Sequence, residues 1–199
     1  MKLKNCYVKR EKAYLTHKFI LKTFGGKDLC CKTTMNEPYI PIRYGGREGR
    51  EGHGDDDKHA STFFVKNKSG KVLHLIENNF YIGSVLCSGN SVMFIFSNAP
   101  KPIQNTVWFW QYGMYFNLLN RHNQRLKSKE PDNIKKKGYL TFYQSGGIGS
   151  VKNYQIMDLS NELVYECLRQ NKSTFNILCK KTLSPQWCLA GVVAACCFK

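Results

Sequence analysis

The chain's apolar positions are grouped in short runs from Ser61 onward, each bounded by turn residues. Ser61–Lys66 and Lys71–Ile76 flank Asn67-Lys68-Ser69-Gly70, which predicts a β-hairpin. Phe80–Leu86 and Ser91–Ser97 follow, separated by Ser88-Gly89-Asn90, and Asn98–Pro102 is expected to break the chain. Thr106–Tyr112 and Met114–Leu119 read as aromatic strands. Tyr139–Gln144, Lys152–Met157, Leu163–Arg169 and Thr174–Cys179 complete the series. In the last of these, Phe175, Ile177 and Cys179 alternate with Thr174, Asn176 and Leu178, a partial period of two. Many short strands at near-regular spacing predict a sandwich or barrel.

The end of the chain has another pattern. Ser184 is a suitable N-cap and Pro185 a suitable first helical residue. Gln186 to Phe198 carries no charge, and a helix apolar all round is buried all round. Its length, roughly 21 Å, is too short to span a bilayer but long enough to thread a barrel. Its Ala, Gly and Cys residues keep it thin. Two segments read as loops: Gly45 to Lys58, glycine-rich and charged, and Arg121 to Lys137, polar, basic and interrupted by Pro131. Residues 1–60 show no clear period and are taken as a divergent N-terminal part of the domain, with 61–199 as its core.

Composition sharpens this picture. Lys and Arg number 30 against 14 Asp and Glu, a formal net charge of +16. Such an excess favours an acidic partner: a phospholipid face, a nucleic acid or an acidic protein. The nine cysteines include no CxxC, so the expectation is reduced thiols in an intracellular compartment and no metal site. Met1 to Arg10 is basic and followed by Glu11-Lys12 with no apolar run, so a secretory leader is not expected, and no stretch reaches about 18 apolar residues. Catalytic signatures are missing as well. Gly146-Gly147-Ile148-Gly149-Ser150 precedes a strand rather than a helix, so it reads as a turn and not a phosphate loop. There is no HExxH and no GxSxG, and carboxylates are too few for a visible acid–base pair. The expectation is a non-enzymatic protein without a cofactor. Trp108 and Trp110 read as core, with base stacking as the alternative.

Several stretches resemble one family. Asn79-Phe80-Tyr81-Ile82-Gly83-Ser84-Val85 followed by Val92-Met93-Phe94-Ile95-Phe96 is similar to the tubby-family N-F-I-G-K and G-T-x-F-T elements. Tyr139-Leu140-Thr141-Phe142-Tyr143 and Ser150-Val151-Lys152-Asn153-Tyr154-Gln155-Ile156 resemble its Y-V-L-N-F-H and A-S-V-K-N-F-Q-I. Leu183-Ser184-Pro185-Gln186-Trp187-Cys188-Leu189-Ala190 looks like its L-S-P-L-Q-A-F-A helix start. The resemblance implies a closed antiparallel β-barrel of about twelve strands around a buried hydrophobic C-terminal helix. It also implies a non-enzymatic adaptor that binds phosphoinositides at membranes, as in ciliary trafficking, with a transcriptional role proposed for the family. Peripheral attachment at the plasma membrane or cilium, or a nuclear place, would follow.

The departures bear on the ligand. Ser84 stands where the family has a lipid-binding Lys and Leu86 where it has an Arg, and Glu77-Asn78-Asn79 replaces a basic cluster. The family pocket is therefore expected to be degenerate. The candidate lipid-binding cations become Lys66, Lys68 and Lys71 at the hairpin turn, with Arg121, Arg125, Lys127, Lys135, Lys136 and Lys137 in the basic segment. The alternatives are a nucleic-acid-binding or transcription-related protein, and a scaffold that has lost its ligand.

Overall fold

The computed structural model describes residues 2–23, 27–34, 37–45, 61–67, 71–88, 91–102, 123–130, 132–134 and 137–198. Twelve antiparallel strands form one sheet. The first four are β1 (Leu3–Lys12), β2 (Thr16–Thr23), β3 (Leu29–Thr34) and β4 (Tyr39–Tyr44). Then come β5 (Thr62–Lys66), β6 (Val72–Glu77), β7 (Phe80–Ser88), β8 (Ser91–Pro102) and β9 (Gln124–Lys127). After a two-stranded ribbon, β10 (Asp132–Ile134) with β11 (Lys137–Tyr139), the sheet resumes with β12 (Tyr154–Met157), β13 (Leu163–Arg169) and β14 (Thr174–Lys180).

The order is a meander in which β14 returns to pair with β1. A bridge between Ser128 and Ile156, with Lys129 N donating to Gln155 O at 2.8 Å, brings β9 against β12 and nearly closes the barrel. Because every neighbour is antiparallel, the connections fall at two ends. The mouth carries the β1–β2, β3–β4, β5–β6, β7–β8 and β13–β14 turns and the long β9–β12 connection. The foot carries the β2–β3, β6–β7 and β12–β13 turns.

The helix α1 (Pro185–Phe198) runs up the axis from foot to mouth. The Ser184 carbonyl accepts the Trp187 and Cys188 amides at 3.1 and 3.3 Å, so the capping residue is where the sequence places it. Gln186 through Ala195 are all buried. Trp187 packs on Phe96 and Phe94, with ring centroids 4.4 and 5.4 Å away. The rod must be thin: a Cβ on Gly191 would stand 2.6 Å from the Tyr154 hydroxyl and 2.7 Å from that of Tyr165. The Tyr165 hydroxyl instead donates to Cys188 O at 3.2 Å.

Alternation explains the cage. On β14 Phe175, Ile177 and Cys179 are buried and their neighbours are not, as the period of two predicts. On β5 and β6 both faces are covered. Phe64, Leu73 and Leu75 join the central core, while Phe63, Val65 and Ile76 form an outer cluster with Tyr81 and Tyr39. The β6–β7 turn uses Asn78 and Asn79 at φ 49° and 64°, the left-handed pair that a two-residue hairpin loop requires.

Four expectations need correction. Residues 1–60 contribute β1 to β4, so the helix is enclosed by these strands as well as those from Ser61 onward. Asn98–Pro102 does not break the chain. It extends β8 to pair with Phe80 and Tyr81, and a register shift between Tyr81 and Gly83 absorbs the irregularity. The segment from Arg121 to Lys137 is not all loop: β9 is a barrel strand with Leu126 buried, and β10 begins at Asp132. Finally, Tyr139–Gln144 is not a strand beyond Tyr139. The buried Glu166 carboxylate accepts the Tyr143 and Gln144 amides at 2.8 and 3.0 Å, satisfying backbone donors that a ladder would otherwise bond. The expected strands Thr106–Tyr112 and Met114–Leu119, both tryptophans in the first of them, and Arg121 lie outside the described residues. So does most of the Gly45–Lys58 loop.

Candidate functional site: a basic barrel mouth

Inward-facing rows of the strands are apolar beside the helix and turn cationic where they pass its C-terminal end. On β1 the inward row reads Lys4, Cys6, Val8, Arg10, Lys12, with Cys6 and Val8 buried. His17 on β2, Thr33 on β3 and Lys66 on β5 end the corresponding rows. Together with Lys12, Cys196, Cys197 and Phe198 they line a mouth cavity of about 800 Å³.

The cations here converge. Arg10, Lys12 and Lys152 all act on His17, whose pKa is lowered first by burial and then by these three charges. Burial pushes the Cys197 thiol up, and Lys66, Lys152 and Arg10 act on it in the opposite sense. Arg10 lies over the Phe175 ring at 5.9 Å and donates to Lys172 O at 3.0 Å. Lys66 Nζ donates to Thr34 O at 2.6 Å. Lys152 Nζ donates to Ala195 O at 2.8 Å, in the last turns of the helix. Carbonyl partners orient Arg10, Lys66 and Lys152. A helix C-terminus offers only about half an elementary negative charge, so four cations overcompensate it. Glu37 is the carboxylate on the cavity wall, where it accepts from the Thr34 hydroxyl at 3.0 Å.

The rim is apolar. Tyr14 and Leu15, at the β1–β2 tip, also line the cavity and are 95% and 56% exposed. An exposed Tyr-Leu tip beside Lys12 offers both a hydrophobic wedge and charge.

The sequence-predicted cations divide. Lys66 is in the cavity. Lys71 is exposed at the same end, where its amide and that of Val72 bond Asn67 Oδ1, both at 3.1 Å. Arg125 and Lys127 are exposed on β9, with Lys127 paired to Glu130 at 2.8 Å, and do not line the cavity. Lys137 belongs to β11. Lys68, Lys135 and Lys136 lie outside the described residues. Sequence reasoning missed Arg10, Lys12, His17 and Lys152. The signal for the first three was the inward row of β1 and β2, and for Lys152 its place in the most specific motif.

That motif has a structural explanation. Asn153 Oδ1 accepts the Arg169 amide and its Nδ2 donates to Ile148 O, while Gln155 Nε2 donates to Thr141 O and to Glu166. With Lys152 on the helix, Ser150–Ile156 fastens the irregular segment before β12 to the barrel wall. The residue expected, from the resemblance, to replace a lipid-binding Lys is also accounted for. Ser84 is wholly buried on the outer face, 2.8 Å from both His74 Nδ1 and the Tyr81 hydroxyl. It forms part of a neutral hydrogen-bonded group, not an anion pocket.

No protein-family model matches the sequence, and no curated protein matches it. Among the described residues no helix is long and apolar enough to cross a membrane. No disulfide joins the nine cysteines.

Proposed function

We propose that this chain is a non-enzymatic, tubby-like adaptor that docks on an anionic phospholipid surface through the barrel mouth. The observation that carries the reading is one cavity lined by Lys12 and Lys66 and rimmed by Tyr14 and Leu15, with Arg10 and Lys152 near enough to act on His17 and Cys197 of its wall. A headgroup phosphate fits the cations, and the Tyr-Leu tip enters the interface beside it. Each cation near an anionic leaflet contributes about 1 kcal/mol. The β1–β2 tip distinguishes this from nucleic-acid binding, which draws on the same charge but gains nothing from a leucine at the rim. The sequence motifs of the tubby family support the adaptor class. With Ser84 and Leu86 at the family's cationic positions, lipid recognition here is expected to be broad among anionic headgroups.

The test is flotation of the full chain with vesicles of phosphatidylcholine alone, with added phosphatidylserine, and with added phosphatidylinositol 4,5-bisphosphate, beside gel shift on random DNA and RNA. Binding to both anionic vesicles, with weaker capture of nucleic acid at equal ionic strength, is expected. Retention on DNA or RNA without flotation would favour the nucleic-acid reading. No binding in any arm would leave a scaffold.

A further inference from the structure

Three thiols meet at the foot of the barrel, at the opposite end from the mouth. Cys6 comes from β1, Cys179 from the end of β14 and Cys188 from the first turns of α1. Their sulfurs lie within 4.8 Å of one another, and those of Cys179 and Cys188 are 3.4 Å apart. Three thiolates bound in a plane to one centre at about 2.3 Å stand roughly 4.0 Å apart, within the 4.8 Å limit and 0.6 Å beyond the Cys179–Cys188 separation of 3.4 Å. Ligation therefore needs only small side-chain movements.

Buried cysteine is often a small hydrophobe, and Cys31, Cys87 and Cys167 behave so within the core. The foot triad differs because three separate elements converge their sulfurs on one point. Burial disfavours charge on all three thiols, and a neighbouring cation acts in the other sense on two of them. The Lys4 ammonium acts on both Cys6 and Cys179 and also donates to Leu183 O. Cys188 sits near the positive end of the helix.

We propose that Cys6, Cys179 and Cys188 form a three-coordinate site for a soft monovalent metal ion, Cu(I). An all-sulfur donor set selects soft ions. Zinc takes four ligands, and among the described residues no fourth Cys, His, Asp or Glu joins the group. Water as a fourth ligand is poorly placed to enter, since Cys179 and Cys188 are 0% exposed and Cys6 only 5%. Binding sends the displaced thiol protons to solvent and leaves copper in the +1 state, so no electron is transferred. The bound ion would tie the first strand to the last strand and to the helix, coupling metal binding to folding.

The test uses the reduced, metal-free full chain under anaerobic conditions. Cu(I) is titrated against a chromophoric Cu(I) chelator, with Zn(II) in a parallel arm, and X-ray absorption counts the sulfurs around the bound metal. One tightly held Cu(I) per chain, three sulfur neighbours and a melting temperature raised by Cu(I) more than by Zn(II) are expected. The variant with Cys6→Ala, Cys179→Ala and Cys188→Ala should lose this ion, while Cys196→Ala with Cys197→Ala, at the mouth, should keep it. No tightly held ion, a count of two or four sulfurs, a preference for zinc, or undiminished binding by the triple variant would each overturn the proposal. Should the triple variant not fold, the sulfur count and metal preference of the parent chain decide by themselves.

Discussion

The two ends of the barrel spend their charge differently. At the foot, Lys180 pairs with Asp158 at 2.5 Å and Glu162 at 3.1 Å, and Lys22 pairs with Asp28 at 2.5 Å. Asp158 also accepts the amides of Ser160 and Glu162, so the same carboxylate builds the β12–β13 turn. At the mouth, Arg10 and Lys66 are held by backbone carbonyls, and Tyr14 and Leu15 project from the rim. A cation on a carboxylate is spent on the fold. A cation oriented by a carbonyl keeps its charge for something else. The contrast belongs to these particular residues, since Lys4 at the foot also meets a carbonyl, Leu183 O, and Lys127 at the mouth end of β9 pairs with Glu130.

The comparison can be broken first at the rod that both ends share. Ala194→Arg places an unpaired charge among side chains that exclude water. It should cost several kcal/mol against a total of about 5–15. Loss of the cooperative melting transition is the expected result, and a soluble variant with the parent's melting curve would refute the central placement of α1.

Acid should sharpen the contrast next. Burial lowers the pKa of His74 to about 3 from 6.5. The unfolded chain therefore binds this proton before the folded one does. The stabilisation is complete above pH 6.5 and is lost as pH falls from 6.5 toward 3, at up to about 1.4 kcal/mol per pH unit. Urea midpoints at pH 7 and pH 5 should show the fall, and His74→Gln should flatten it. His17 at the mouth should behave in the opposite way to ligand: a bound phosphate headgroup favours its protonated form, so its pKa, followed by NMR, should rise on binding.

A smaller effect separates the ends directly. Lys12→Ala with Lys66→Ala should weaken binding to anionic vesicles by about 2 kcal/mol at low salt with little change in melting. Lys22→Ala with Lys180→Ala should do the reverse, lowering the melting temperature slightly and leaving flotation unchanged. If both doubles weaken flotation equally, the charge acts as a whole and the mouth has no special part. The smallest effect expected is from Leu15→Ser at the rim, which should weaken vesicle binding by about 1 kcal/mol and leave any binding to DNA unaltered.

How far the sequence reveals this arrangement depends on how each element meets water. The helix is legible because one segment lacks charge altogether, and β14 because its inward row is uninterrupted. β9 is not, since Leu126 is its one buried residue in four and a single apolar position has no period. β2 hides for another reason. Its inward row is His17, Phe19, Leu21 and Thr23, polar at both ends where the strand leaves the core, so only its middle looks like a strand. The mouth shares that difficulty. Lys66 is visible as a hairpin cation, but its companions come from β1, β2 and the segment before β12, and only the barrel's closure gathers them. The foot thiols are likewise far apart in sequence, on β1, β14 and α1. Spacing rules that recognise short Cys motifs have nothing to register there.

The position of the axial helix has a consequence for biosynthesis. Its residues are translated after the fourteen described strands, yet β1 gains its second partner only with β14, and the inward faces of the sheet have no filling until α1 arrives. A nascent chain emerging from the ribosome would thus present a growing meander with an open apolar face and two unpaired edges for nearly the whole of its synthesis. Such an intermediate is the kind that associates with other chains, and contacts between the first and last strands make the final closure slow. Expression of this protein should therefore depend on chaperone supply more than its finished stability would suggest.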